Sequence, residues 1–156
     1  GCTLVEGTTM RYDPLFVAPM REELVRLGFE ELHTPDDVDR ALQRQGTTLL
    51  VINSVCGCAA GSARPAVALS LRHTNKPDHL VTVFAGMDVE ATQHVRERYL
   101  VGQPPSSPSM ALLADGKLVA MIHRYQIEGQ YPETIAQLLT DIYDRYCQKS
   151  AAPIEA

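Results

Sequence analysis

Apolar positions along this chain repeat with two different periods, and the changes of period divide it into elements. From Pro19 to Gly28 they fall at Met20, Leu24 and Leu27, the spacing of one helix face, and Gly28 stops the pattern. Thr34-Pro35-Asp36-Asp37 reads as a helix start, with a hydroxyl cap, a proline in the first turn and acids at the positive end of the dipole. That helix runs through Val38, Ala41 and Leu42 to Gly46. Thr47–Val55 is β-branched and almost wholly apolar, as a strand buried on both faces must be. A helical stretch from about Ala59 to Arg72 follows, then a second buried strand, Leu80–Ala85. Asp88–Leu100 is a helix with Thr92, Val95 and Tyr99 on its apolar face. The rigid loop Gly102–Pro108 precedes a strand at Ser109–Leu113, and Asp115-Gly116 signals a two-residue hairpin returning through Lys117–His123. Pro132 and Glu133 open a last helix, with a stripe of Ile135, Leu138, Leu139, Ile142 and Tyr146, that ends near Cys147.

Parallel strands joined by helices and followed by an antiparallel pair predict an α/β domain with a mixed central sheet, helices on both faces. With a cysteine pair at the end of the first core strand, this order is that of a thioredoxin-like fold, to which the two N-terminal helices are additions. No repeat or linker divides the chain, so residues 10–147 form one domain. Residues 1–9 read as a non-native or unstructured leader ahead of Met10, and 148–156 as a tail.

Composition narrows the class. The 156 residues are 45% hydrophobic and 21% charged, enough to bury a core without disulfide staples. Nineteen acids against fourteen Lys and Arg give a net charge of −5. There is no basic block, so a nucleic-acid partner is not expected. The longest apolar runs are far shorter than the roughly 20 residues of a membrane span, so no membrane partner is expected either. Gly1–Thr9 lacks the basic start and apolar stretch of a secretory signal, which places the expected location in the cytoplasm.

The four cysteines, Cys2, Cys56, Cys58 and Cys147, carry the candidate chemistry. In a reducing compartment they do not read as a structural framework, and Cys56 and Cys58, one residue apart in VCGCA, point to redox chemistry or metal binding. The reactive species in thiol exchange is the thiolate, and a strand end entering a helix offers it unpaired N–H groups and the dipole. Cys56, expected to be the better exposed, is assigned as nucleophile. Cys58, further into the helix, is assigned to resolve a mixed disulfide formed on Cys56. Gly57 is expected to bend where a side chain would clash as the small CxC ring closes, and such a strained ring suits exchange or isomerisation more than strong reduction. Arg64 is the nearest cation in sequence, so the backbone is the expected support of the thiolate. Ser107-Pro108 before a buried strand is a candidate cis bond. A thioredoxin-like fold turns such a loop toward its cysteines, which makes Ser107 and Pro108 candidate substrate-binding residues beside Gly57.

Two alternatives use the same cysteines. One is a metal site formed by the pair with Cys147. The histidines (His33, His73, His79, His94 and His123) show no spacing that would add ligands, and no bound metal or other cofactor is expected. The other is a redox-sensing adaptor that switches partners without turnover. Cys147 reads otherwise as an idle helix-end thiol or a further redox thiol, and Tyr131, Tyr143 and Tyr146 as packing residues.

Longer blocks add a resemblance. NSVCGCAAG at 53–61 with ARPA at 63–66, VFAGMD at 83–88, GQ at 102–103 with PSSPS at 105–109, and IEG at 127–129 look like the bacilliredoxins. Tyr12 with Pro19-Met20-Arg21, and the closing helix with Cys147, are similar too, so the likeness spans about residues 10–147. It implies a thioredoxin-like thiol–disulfide oxidoreductase that removes the low-molecular-weight thiol bacillithiol, a co-substrate, from S-thiolated cytosolic proteins. By position, Cys56 would take the bacillithiol and Cys58 would release it, and disulfide isomerase activity is associated with the family.

Overall fold

The computed structural model describes residues 11–148, so the leader 1–9, Met10 and nearly all of the predicted tail lie outside the described residues. In chain order the elements are α1 (Pro14–Val25), β1 (Glu30–Glu31), α2 (Pro35–Leu42), β2 (Thr47–Asn53), α3 (Arg64–Ser70), β3 (His79–Phe84), α4 (Val89–His94), β4 (Ser109–Ala114), β5 (Lys117–Ile122), α5 (Arg124–Ile127) and α6 (Pro132–Tyr146). The five strands lie in the order β1-β3-β2-β4-β5. β1, β3 and β2 are parallel, whereas β4 and β5 run antiparallel to their neighbours.

β2 is buried along its whole length because helices cover both faces of the sheet. Its alternate side chains part accordingly. Leu49 and Val51 join Leu24, Val67, Leu139 and Tyr143 on the face of α3 and α6. Leu50 and Ile52 join Val38, Leu42, Ala91 and Val95 on the face of α2 and α4.

Several elements differ from the sequence expectation, each for a local reason. α1 begins at Pro14 rather than Pro19, because the Asp13 carboxylate caps the Leu15 N–H at 2.9 Å. β1 was not anticipated, since two glutamates carry no apolar pattern; it is an edge strand set beside β3. α3 is entered through a wide π-type turn, Ala59–Ala63, in which the Arg64 N–H reaches Ala59 O five residues back. The following Pro65 has no N–H with which to continue an α ladder. A similar turn, Val95–Tyr99, follows α4. α5 was also missed. The predicted helix start at Thr34 and the Asp115-Gly116 hairpin are both present, the latter with positive φ at both residues (51° and 82°). Tyr143 packs in the core with its hydroxyl 2.9 Å from Ser70 Oγ, but Tyr131 is 78% exposed and is not a packing residue. No helix among the described residues is long and apolar enough to cross a membrane.

Buried Asp88 clamps α1 to the sheet. Arg21 donates to both its oxygens at 3.0 and 3.1 Å, the Phe84 N–H donates at 2.9 Å, and His33 Nδ1 lies at 3.0 Å. Burial pulls this carboxyl upward, but the hydrogen bonds from Arg21 and His33 and the Arg21 charge outweigh it and hold the group below the ordinary aspartate value. The stability it contributes is therefore fully present above about pH 4 and is lost as pH falls through the lower folded value. Urea midpoints at about pH 6 and about pH 3 should show a smaller acid loss in Asp88→Asn than in wild type. Equal losses would show that Asp88 is not linked to folding.

Candidate active site

β2 ends at Asn53, and its last residues explain why the strand stops short of the predicted Val55. Asn53 Oδ1 accepts the Ser54 N–H at 2.9 Å, which turns the backbone out of the ladder, and Asn53 Nδ2 donates to Met20 O in α1. Ser54 Oγ then accepts the Cys56 N–H at 3.0 Å, and Cys56 O receives the Ala59 N–H as the helical turn begins. Arg64 does not serve the sulfurs. It is 3% exposed, donates to Asn53 Oδ1 at 2.9 Å and Ser54 O at 3.1 Å, and pairs with Glu23 of α1 at 3.1 Å. It is the anchor of the turn that carries Cys56.

The two sulfurs of the pair lie 3.1 Å apart, within hydrogen-bond reach and well beyond the ~2.05 Å of a bond. Cys56 is only 5% exposed while Cys58, a free thiol, is half-buried. The expectation that Cys56 is the better exposed is thus not met, because the turn seats it against the sheet edge while Cys58 sits at the helix surface over the apolar cluster that includes Ile127. Gly57 is exposed, and a Cβ there would meet nothing within 4 Å, so in this state no clash demands glycine.

Burial pushes the Cys58 thiol above its ordinary value; Arg124 pulls it down and Glu128 pushes it up again. Both charged residues were missed as site residues, since they sit in and after α5, far from the pair in sequence. The only signal was Glu128 within the IEG block. Cys58 is thus acted on by a cation as well as by its own backbone N–H.

The Ser107–Pro108 bond is cis. Because β4 runs antiparallel to β2 with Ser109 opposite Ile52, the loop before β4 and the turn after β2 emerge at the same edge of the sheet. Ser107 and Pro108 are both buried. Their neighbour Ser106 is tied to α5. His123 lies between Ser106 Oγ (3.2 Å) and Gln103 Oε1 (2.9 Å), while its own N–H donates to Gln126 Oε1. His123 is thus the capping residue of α5.

Cys147 is elsewhere. Burial raises its thiol, Thr47 hydrogen-bonds it, and Asp78 is the acid that faces it. Thr47 opens β2, and Cys56 lies beyond its far end, so the strand's seven residues, ~20 Å, separate the two cysteines. At that distance Cys147 reaches neither sulfur of the pair and cannot share a metal ion with them in this structure. Among the described residues no group of three or more His, Cys, Asp or Glu is arranged around a common point. Cys2 lies outside the described residues.

Comparison with known proteins places this arrangement. A family model described as disulphide isomerase matches residues 12–147. A bacilliredoxin of Geobacillus kaustophilus is 59% identical over 133 residues, 85% of this chain and 91% of that protein. The chain belongs to the bacilliredoxin family. A bacilliredoxin of Salinibacter ruber is 53% identical over 149 residues, covering 94% of this chain and 87% of its relative. Among solved structures, Malassezia sympodialis thioredoxin (TM-score 0.53, 11% identity, 76% of this chain and 90% of that one) shares the fold. So does a mutant thioredoxin of Halobacterium salinarum (0.52, 18%, 76% and 89%). The bacilliredoxin relatives, with this fold, make the chain a thiol–disulfide oxidoreductase of thioredoxin-like fold.

Removing the Arg64 guanidinium leaves Ser54 O and Asn53 Oδ1 short of a charged donor. Arg64→Met is expected to lose about 2 kcal/mol in urea unfolding. A loss below roughly 0.5 kcal/mol, that of an ordinary surface change, would show that the turn holds itself.

Proposed function

We propose that the chain removes bacillithiol from S-bacillithiolated cysteines of cytosolic proteins, with Cys56 as nucleophile and Cys58 as resolving thiol. The observation that carries this reading is the pair of sulfurs 3.1 Å apart at the sheet edge shared with the cis Ser107–Pro108 loop, in a chain 59% identical to a bacilliredoxin.

The Cys56 thiolate attacks the bacillithiol sulfur of the mixed disulfide. The protein–sulfur bond breaks, and the protein cysteine leaves as a thiolate and takes a proton. Cys58, its proton passing to solvent, attacks Cys56 Sγ. Bacillithiol leaves with the electron pair, and a Cys56–Cys58 disulfide remains for an external thiol to reduce. The raised Cys58 thiol leaves little thiolate at neutral pH, which is compatible with a thiol that acts only on a neighbouring sulfur. Gly57 leaves the approach to the pair unobstructed. We assign Ser107 and Pro108, at the cis bond on the same sheet edge, to receive the extended backbone of the thiolated protein. The same exchange on protein disulfides would be isomerisation, the activity for which the family model is named. The reaction needs a reducing setting, which we take to be the cytoplasm.

The test is release of bacillithiol from a bacillithiolated protein by wild type, Cys56→Ala and Cys58→Ala, followed by mass spectrometry. Cys56→Ala should be inert, and Cys58→Ala should stall as the bacillithiol adduct on Cys56. If wild type releases no bacillithiol yet reduces a glutathionylated protein, bacillithiol is the wrong thiol. If the adduct forms on Cys58, the roles are reversed.

A further inference from the structure

The surroundings of Cys58 are asymmetric in a way that the two-thiol reaction leaves unused. α5 is a single short turn fixed to the cis-proline loop through His123, Ser106 and Gln103. Its Ile127 is fully buried in the cluster against which Cys58 packs. Packing Ile127 inward brings the charged positions on either side of it, Arg124 and Glu128, up to the thiol. Arg124 is within hydrogen-bonding reach of Cys58, and Glu128 is close enough to oppose it. The two side chains also pair with each other at 3.4 Å, Arg124 being the more buried, with 25% of its side chain exposed against 53% for Glu128. Arg124 and Glu128 are the charged groups that act most strongly on the Cys58 thiol, and Cys56 Sγ lies 3.1 Å from it.

We propose that Arg124 and Glu128 act as an opposed pair on Cys58, the cation speeding and the carboxylate slowing the step in which Cys58 displaces the thiol held on Cys56. Both are positioning residues, since they act through Cys58. The proposal rests on the assignment of Cys56 as nucleophile and Cys58 as resolving thiol. The step itself is a thiol–disulfide exchange: the Cys58 thiolate bonds to Cys56 Sγ, the bond from Cys56 to the outgoing sulfur breaks, and that sulfur departs with the electron pair and takes a proton. Arg124 stabilises the attacking thiolate. Glu128, by pairing with Arg124 and by its own charge, limits that stabilisation.

A neutral chromogenic disulfide, 2,2′-dipyridyl disulfide, separates the phases without adding a charge that Arg124 would attract. With Cys2→Ser and Cys147→Ser in every protein compared, wild type included, the reduced pair should release one equivalent of thiopyridone as Cys56 reacts and a second as Cys58 resolves the adduct. Cys58→Ser should stop after the first. At neutral pH the second phase should slow about threefold in Arg124→Gln and quicken about threefold in Glu128→Gln, the changes being modest because a more stable thiolate is a weaker nucleophile. Its pH profile should move to higher pH in the first variant and to lower pH in the second, and Arg124→Lys should restore most of the rate. Either glutamine variant breaks the ion pair equally, so a merely structural role would move both the same way. Shifts of the same sign, or none in either variant, overturn the proposal. A wild type that releases only one equivalent overturns the two-thiol reading itself, and the proposal with it.

Discussion

A guanidinium buried at the end of the central strand holds the rest of the site in place. The chain must leave a strand covered on both faces and enter a helix within a few residues, which strips backbone groups of their ladder partners in a region with little access to water. Arg64 answers that need by donating to Asn53 Oδ1 and Ser54 O. A charge this buried needs a counter-charge, and Glu23 of α1 supplies it at 3.1 Å from Nε. The N-terminal helix is thus not a mere appendage. Through Glu23, through Met20 O on Asn53, and through the Arg21–Asp88 clamp, it is built into the support of the cysteine turn.

Strand direction does the remaining assembly. With β3 parallel and β4 antiparallel to β2, the end of β2 and the start of β4 meet at one edge, and the hairpin returns β5 to that edge to release α5 there. Three segments distant in sequence, at 54–58, 106–108 and 123–128, therefore surround one point. The same geometry sends Cys147 to the opposite end, where it packs beneath Thr47.

What was legible in the sequence follows from how local each signal is. Buried strands, the capped α2, the hairpin and the CGC turn are written in contiguous residues, and the mixed parallel and antiparallel sheet followed from them. β1 was invisible because its burial is decided by the flanking Phe29 and Leu32, not by its own two glutamates. α5 was hidden inside an apolar strand signal: His123 continues the pattern of β5, but its backbone is captured by Gln126. The opposing charges at Cys58 could not be read at all, since only the fold brings Arg124 and Glu128 beside it. Exposure failed for a related reason. The order of two thiols along the chain says which enters the helix first, whereas their burial depends on the turn that Arg64 and Asn53 impose.

The turn also governs how two cysteines one residue apart divide a reaction. Similar thiols in similar surroundings would compete for the incoming disulfide, and either could be trapped. Here Cys58 packs against the α3–α5–α6 cluster with Arg124 and Glu128 acting on it, and burial raises its thiol. It does not need to be a strong nucleophile in free solution, because its target is a sulfur 3.1 Å away. Proximity on that scale replaces intrinsic reactivity. A thiol slow toward outside disulfides and near enough to reach one particular sulfur is suited to resolution, and the opposing charges of Arg124 and Glu128 then set when it becomes a thiolate.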